Sequence, residues 1–109
     1  MKIDDYQEKT RRTSPSLGEE RLPYLINFSM GLAGEAGEVV DHIKKVAFHG
    51  HALNEEEVLN ELGDSLYYVA RTADALGYKL SHVAEMNNQK LLDRYPNGFS
   101  EEASRNRTR

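Results

Sequence analysis

Two long segments of this 109-residue chain repeat apolar residues at steps of three and four, which constrains the fold more than any other feature. In residues 24–48 the repeat runs through Leu25, Phe28, Leu32, Ala36, Val39, Ile43 and Val46. In residues 55–76 it runs through Val58, Leu59, Leu62, Leu66, Val69, Ala70, Ala73 and Leu76. Such spacing places apolar side chains on one face of an α-helix. Because no useful alternation with a period of two occurs, the sequence predicts an all-α fold.

Turn and capping residues set the predicted helix ends. Residues 3–12 are predicted to form a short first helix, and residues 13–23, rich in Ser, Pro and Gly, a loop. The second helix covers about 24–48 and ends before Gly50, which suits the left-handed position after a helix.

The third predicted helix begins after Asn54, an N-cap residue followed by three glutamates, and stops at Gly77. A fourth begins at Ser81, or just before it, and continues to about Tyr95, because Pro96 cannot extend it. We therefore predict one four-helix bundle.

Composition bounds the class of protein. Hydrophobic residues make up 39% and charged residues 29%, as in soluble helical proteins, and we assign residues 1–99 to one domain and 100–109 to a disordered polar tail. The net charge of −4 argues against a nucleic-acid polymer as partner, and the absence of cysteine excludes disulfides and thiolate chemistry. The polar N-terminus resembles neither a signal peptide nor a membrane anchor, so we expect a cytoplasmic protein without a membrane partner.

Two acidic pairs lie within the predicted second and third helices, Glu35 with Glu38 and Glu61 with Asp64. Residues three apart share a helix face, so neighbouring helices would bring four carboxylates together. Such a cluster repels itself unless protons or a cation neutralise it. An all-carboxylate set suits a hard cation such as Mg²⁺ or Mn²⁺. The alternative interpretation is that these acids are solvated charges at the rims of their helices.

The last predicted helix carries Asn87, Lys90 and Arg94 on the same arc as its apolar residues. Burying two cations and an amide is costly unless they meet partners. They extend past the edge of the core, pair directly with the four acids, or face a phosphate chain that bridges to a metal. Arginine suits bidentate contact with phosphate, and lysine supplies a point charge.

Three stretches resemble the MazG-like nucleoside triphosphate pyrophosphohydrolases of the all-α NTP pyrophosphatase superfamily: GLAGEAGEVVDHIKKVAFHG, ELGDSLYYVA and NNQKLLDRYPNGF. That superfamily is marked by E-x-x-E followed by E-x-x-D, here residues 35–38 and 61–64. The resemblance covers about residues 32–99. It departs from some relatives at Gly34, where they carry a further acid, so a metal count or water-activation scheme that needs this acid is not implied.

The resemblance implies Mg²⁺-dependent hydrolysis of a nucleoside triphosphate between the α and β phosphorus atoms. The all-carboxylate donor set also suits Mn²⁺ as a substitute ion. It implies metal binding by Glu35, Glu38, Glu61 and Asp64. It implies phosphate contacts by Lys90, Arg94 and Tyr95, and a nucleotide contact by Asn87. Glu38, together with Glu35, is the candidate catalytic carboxylate, and proton acceptance is assigned to Glu38. The implied role is removal of unwanted or surplus nucleotides.

Two alternatives stay open from the sequence. One is a related enzyme directed to dUTP or phosphoribosyl-ATP, and the other is a non-catalytic helical interaction module that keeps the acids as surface charge. A chain this short with three amphipathic helices cannot cover its apolar surface, so we expect a homo-oligomer, dimer or tetramer. Tyr67 and Tyr68 are interpreted as packing or subunit contacts rather than as platforms for a base.

Overall fold

The computed structural model describes residues 1–107, which contain five α-helices and no β-strand. The helices are α1 (Ile3–Thr10), α2 (Arg21–Phe48), α3 (Glu55–Ala75), α4 (Leu80–Arg94) and α5 (Glu101–Arg105). A short 3-10 helix, Arg11–Thr13, continues α1. The predicted all-α class is confirmed. Within residues 1–107, no helix combines the length and apolar composition of a membrane span.

The predicted helix ends agree with the structure to within a few residues. Helix α2 begins three residues before the predicted start, because Pro23 lies in its first turn, where a missing N–H costs nothing. The Asn54 side chain accepts a hydrogen bond of 3.1 Å from the Glu57 N–H and so caps α3. Gly50 and Gly77 have φ of 72° and 84°, which explains why α2 and α3 end beside glycines.

Helices α2 and α3 form a hairpin, and α1 packs against α3 and α4 at one end of it. Among residues 1–107 the buried apolar residues are few: Phe28, Ala70, Ala73 and Leu80. Phe28 lies 6.5 Å from the Tyr68 ring, between the two long helices. A Cβ at Gly31 would overlap that ring, so this glycine permits the close approach of α3.

Helix α1 is fastened to the start of α4 by polar contacts. The Gln7 side chain donates to the Tyr78 carbonyl at 2.9 Å and accepts from the Leu80 N–H at 2.7 Å. Asp4 accepts hydrogen bonds from the N–H and hydroxyl of Ser81, at 2.9 and 2.7 Å. The first N–H groups of α4, which have no partner within the helix, are thus capped from α1.

The tail differs from the sequence prediction of disorder over residues 100–109. Residues 101–105 form the one-turn helix α5, and the Ser100 hydroxyl accepts a hydrogen bond of 3.0 Å from the Ala103 N–H. A Ser followed by two glutamates is a helix start that the polar composition of the tail obscures. The prediction for residues 108–109 lies outside the described part of the chain.

The single chain leaves much apolar surface uncovered. Its radius of gyration is 17.0 Å, against about 13 Å for a compact domain of about 100 residues. Its accessible surface is 8270 Å², whereas a folded 12.4 kDa monomer exposes about 6100 Å². Large apolar side chains of α2 and α3 that are at least half exposed are Leu22, Ile26, Met30, Val40, Phe48, Leu59 and Leu62. Part of the predicted apolar stripe of α3 is therefore exposed in one chain.

Candidate active site

The hairpin brings the two acidic pairs of α2 and α3 within electrostatic reach of one another. Burial raises the pKa of Glu35, and the charges of Glu38, Asp64 and Glu61 raise it further. Since three other carboxylates act on Glu35, the predicted juxtaposition of the two pairs is present in the fold. Glu35 and Glu61 are half-buried, whereas Glu38 and Asp64 are exposed, so one acid of each pair lies closer to the helix interface.

Two carboxylate oxygens of this cluster are buried without a partner. Glu35 Oε2 and Glu61 Oε2 are shielded from solvent and have no hydrogen-bond donor among the described residues. A buried anionic oxygen without a donor or cation is unfavourable by several kcal/mol in general. Unneutralised negative charge and orphaned oxygens are what a bound cation would satisfy, so the donor set fits Mg²⁺ or Mn²⁺.

The side chains of the four acids do not form a compact coordination sphere. Within residues 1–107, no three histidine or acidic side chains lie close enough together to hold a metal ion. Instead, the acids are divided between two adjacent concavities. Glu38 and Glu61 line one of about 620 Å³, and Glu35 and Asp64 line another of about 380 Å³.

The larger concavity, which we call the charged concavity, contains basic as well as acidic side chains. Its lining comprises Glu38, Asp41, His42, Lys45, His51, Ala52, Asn54, Glu57 and Glu61. Lys45 Nζ lies 2.8 Å from Asp41 Oδ2, one helical turn away on α2. The smaller concavity, the aromatic recess, is lined by Thr13, Glu35, Asp64, Tyr67 and Tyr68.

Two of the residues predicted to contact the substrate, both in α4, lie outside the acidic concavities in the single chain. Asn87 and Lys90 line a third concavity of about 550 Å³ with Leu66 and Val69 of α3, and neither lines the two acidic concavities. Arg94 is the last residue of α4 and is half-buried. Tyr95 is also half-buried, and its ring lies 5.4 Å from that of Phe99. Their roles in binding stay predictions.

Comparison with known proteins identifies the family to which these site residues belong. Residues 27–99 match the MazG nucleotide pyrophosphohydrolase domain. The chain belongs to the MazG family. The matched region of this MazG domain contains both acidic pairs and the whole of α4. A similar protein is the Gene 37 protein of Mycobacterium phage L5, which is 33% identical over 114 aligned positions covering 98% of this chain and 100% of the relative. No solved structure matches.

Sequence reasoning did not find Arg71, a buried cation of the MazG domain. Its guanidinium donates to Thr10 Oγ1 at 3.3 Å, to Ser14 Oγ at 3.2 Å and to Asp74 Oδ2 at 3.0 Å. It also lies 5.4 Å from the centre of the Phe28 ring. An arginine inside the apolar run of α3 is the signal that could have revealed it. Arg71 therefore holds the segment after α1 against the α2–α3 hairpin.

His42 connects α2 to the start of α3 beside the charged concavity. It is buried, and its Nε2 accepts a hydrogen bond of 3.3 Å from the Asn54 N–H. Its Nδ1 lies 3.7 Å from Glu57 Oε2. His42 follows Glu38 by one helical turn and Glu57 precedes Glu61 by one turn, so this contact fixes the helices next to the acids.

We expect His42→Ala to lower the free energy of unfolding by about 1–3 kcal/mol, because it leaves the Asn54 N–H without its acceptor and opens a cavity. Urea unfolding measures the loss. The matched control is His49→Ala, since His49 is exposed and its removal should change stability by less than about 0.5 kcal/mol. Equal effects of the two substitutions would contradict a connecting role for His42.

Proposed function

We propose that this MazG domain hydrolyses nucleoside triphosphates, ribo- or deoxyribo-, between the α and β phosphorus atoms. The products are a nucleoside monophosphate and pyrophosphate, and the role is removal of surplus or unwanted nucleotides in the cytoplasm. The observation that carries the proposal is the pair of buried, unpartnered oxygens of Glu35 and Glu61, in a cluster where the charges of Glu38, Asp64 and Glu61 all act on Glu35. The family match supports the same reaction class.

Glu35, Glu38, Glu61 and Asp64 would hold Mg²⁺, with Mn²⁺ as a substitute. When bound, the ion would neutralise phosphate charge and activate water. Glu38 is exposed, whereas Glu35 is half-buried with a raised pKa. An exposed carboxylate at the edge of the cluster can exchange a proton with solvent after each turnover, so Glu38 is assigned as the proton acceptor.

The basic side chains of α4 would supply positive charge for the phosphates of the substrate. Lys90, Arg94 and Tyr95 would contact phosphates, and Asn87 the nucleotide. Because Asn87 and Lys90 line a separate concavity in one chain, assembly of two chains is proposed to complete the site. The accessible surface in excess of a typical monomer is about 2000 Å² per chain, so two chains that covered it would bury about 4000 Å² in total, within the range of obligate homodimer interfaces.

We therefore expect a homo-oligomer, at least a dimer, whose interface covers the exposed apolar side chains of α2 and α3. Light scattering at micromolar concentration should return at least twice the 12.4 kDa chain mass. Leu59→Asp should lower that mass, because a charge would be buried in the interface. Asn60→Asp, which adds the same charge at the next position, is the control and should leave the mass unchanged. A fully active protein of 12.4 kDa would contradict the proposal.

Release of pyrophosphate from a mixed pool of ribo- and deoxyribonucleoside triphosphates tests the proposed function, with and without Mg²⁺. The proposal predicts monophosphates and pyrophosphate in Mg²⁺ and no release in EDTA. Release of pyrophosphate from dUTP only, or from phosphoribosyl-ATP only, would identify a related pyrophosphohydrolase specific for that substrate. Absence of turnover on all substrates, with a folded protein, would favour a non-catalytic helical interaction module.

A further inference from the structure

The two acidic concavities differ in the charge of their other side chains. The charged concavity contains Lys45, His42 and His51, whereas among the described residues no basic side chain lines the aromatic recess. A phosphate in the recess would face Glu35 and Asp64 without a cationic side chain beside it. An uncharged planar group would instead meet the tyrosine rings, and base–aromatic stacking contributes about 1–3 kcal/mol per base.

The position of the recess also suits the nucleoside end of a substrate. In a reaction at the α phosphorus, the nucleoside is attached directly to the reacting group. Its binding surface must therefore adjoin the carboxylates that hold the metal. The recess shares Glu35 and Asp64 with the acid cluster and has a volume of about 380 Å³, within the range of small-ligand sites.

The aromatic wall of the recess is braced by packing. The rings of Tyr67 and Tyr68 meet edge to face with centroids 5.1 Å apart, and Tyr68 lies against Phe28 and Gly31. Burial raises the pKa of Tyr6 in α1, and the nearby Asp64 and Tyr67 raise it further. The Tyr67 ring is thus held in place before any ligand arrives.

The hydroxyl groups at the mouth of the recess come from two distant parts of the chain. Thr13 Oγ1 lies 3.1 Å from Tyr67 Oη and 3.4 Å from the Thr10 carbonyl oxygen. When its one proton is donated to Tyr67, the closer of the two, the Tyr67 hydroxyl keeps its own proton for donation. Thr13 stays in place because Arg71 binds Thr10 and Ser14 on either side of it. The pair therefore presents a positioned donor and acceptor.

We propose that the aromatic recess binds the nucleoside part of the substrate and that the hydroxyls of Thr13 and Tyr67 determine which nucleoside is accepted. This inference rests on the proposed function. The Tyr67 ring would stack on the base, and the two hydroxyls would hydrogen-bond to the edge of the base or to the sugar. This role for Tyr67 differs from the sequence analysis, which interpreted the ring as a packing or subunit contact.

The test uses Thr13→Val and Tyr67→Phe, which remove a hydroxyl and keep the shape of the side chain. Calorimetry measures the Kd of α,β-imido nucleoside triphosphates with four bases, and of inorganic tripolyphosphate, in Mg²⁺. We expect the ratio of Kd between the best and worst nucleotide to change by about 3- to 10-fold, which is the value of one hydrogen bond. Tripolyphosphate, which has no nucleoside, should bind each variant as it binds the unmodified protein.

The control is Ser16→Ala, because Ser16 is an exposed hydroxyl of the same segment outside the recess. An unchanged nucleotide ratio, or equal weakening of nucleotides and tripolyphosphate, would overturn the inference. If the unmodified protein hydrolyses no nucleotide but the ratio of Kd values shifts, the recess is supported and the proposed reaction fails. If it binds no nucleotide analogue, both fail.

Discussion

Glu38→Gln and Asp64→Asn are each expected to lower nucleotide turnover by at least about 10²-fold while the protein stays folded. Both substitutions keep the shape of the side chain and remove one of four negative charges that would hold Mg²⁺. Loss of one strong electrostatic contact in an active site costs about 10²–10³-fold in rate, and a metal ligand should cost no less. Pyrophosphate release measures the effect, and near-normal activity in both variants would show that the metal assignment is wrong.

The same cluster should make the metal-free protein less stable as the pH rises. The pKa of Glu35 is raised in the folded state, first by burial and then by the neighbouring acids. Between the ordinary glutamate value and this raised value the folded state binds more protons than the unfolded state, so stability falls as the pH increases through that range.

Glu35→Gln removes this dependence, and melting temperature measured against pH in EDTA detects the change. We expect the variant to be as stable as the unmodified protein in acid and more stable at neutral pH. Glu19→Gln is the control, since Glu19 is exposed in the loop before α2. Parallel curves for the Glu35 variant and the unmodified protein would show that the acids do not repel one another as described.

The helix ends could be predicted from the sequence because their causes are local. Asn54 caps α3 with its own side chain, and Gly50 and Gly77 take the positive φ that follows a helix. Each feature depends on residues only a few positions apart. The same reasoning missed α5, because the polar composition of the tail was given more weight than its Ser-Glu-Glu start.

Which helix face is covered could not be predicted in the same way. The apolar residues Leu59 and Leu62 predict the buried side of α3, yet they are 66% and 50% exposed in the single chain. Instead α3 approaches α2 where Gly31 leaves room for the Tyr68 ring. Periodicity identifies an apolar stripe, but whether another helix or another subunit covers it depends on the assembly.

The acid cluster could be predicted from the sequence, whereas the aromatic recess could not. The acids could be predicted because each pair lies within one helical turn, and the two helices are neighbours in sequence. The recess joins Thr13 to Tyr67, and its support joins Arg71 to Thr10 and Ser14, across more than fifty residues in each case. Polar contacts of this length have no periodic signal, so only the fold reveals them.

Substitutions of two arginines, Arg94 and Arg71, should distinguish a role in catalysis from a role in stability. Arg94→Ala is expected to lower kcat/KM by on the order of 10²–10³-fold, because a phosphate would lose its bidentate partner. The loss of stability should stay below about 1 kcal/mol, since Arg94 lies at the end of a helix. Arg105→Ala in α5 is the control for loss of an arginine outside the site.

Arg71→Leu should show the opposite pattern. Its guanidinium is buried and holds Thr10, Ser14 and Asp74, so its removal should cost about 2–3 kcal/mol and lower the melting temperature by roughly 10–20 °C. Arg11 and Arg71 keep the pKa of Asp74 below its usual range, so these ion pairs are intact at neutral pH and are lost as the pH falls through that lowered value.

Turnover should distinguish the two arginine variants. Below the melting temperature of Arg71→Leu, hydrolysis at the acid cluster should be slowed far less than in Arg94→Ala. If Arg94→Ala instead melts early and keeps its turnover, Arg94 is a structural ion-pair residue, and the phosphate contact must be assigned to other side chains.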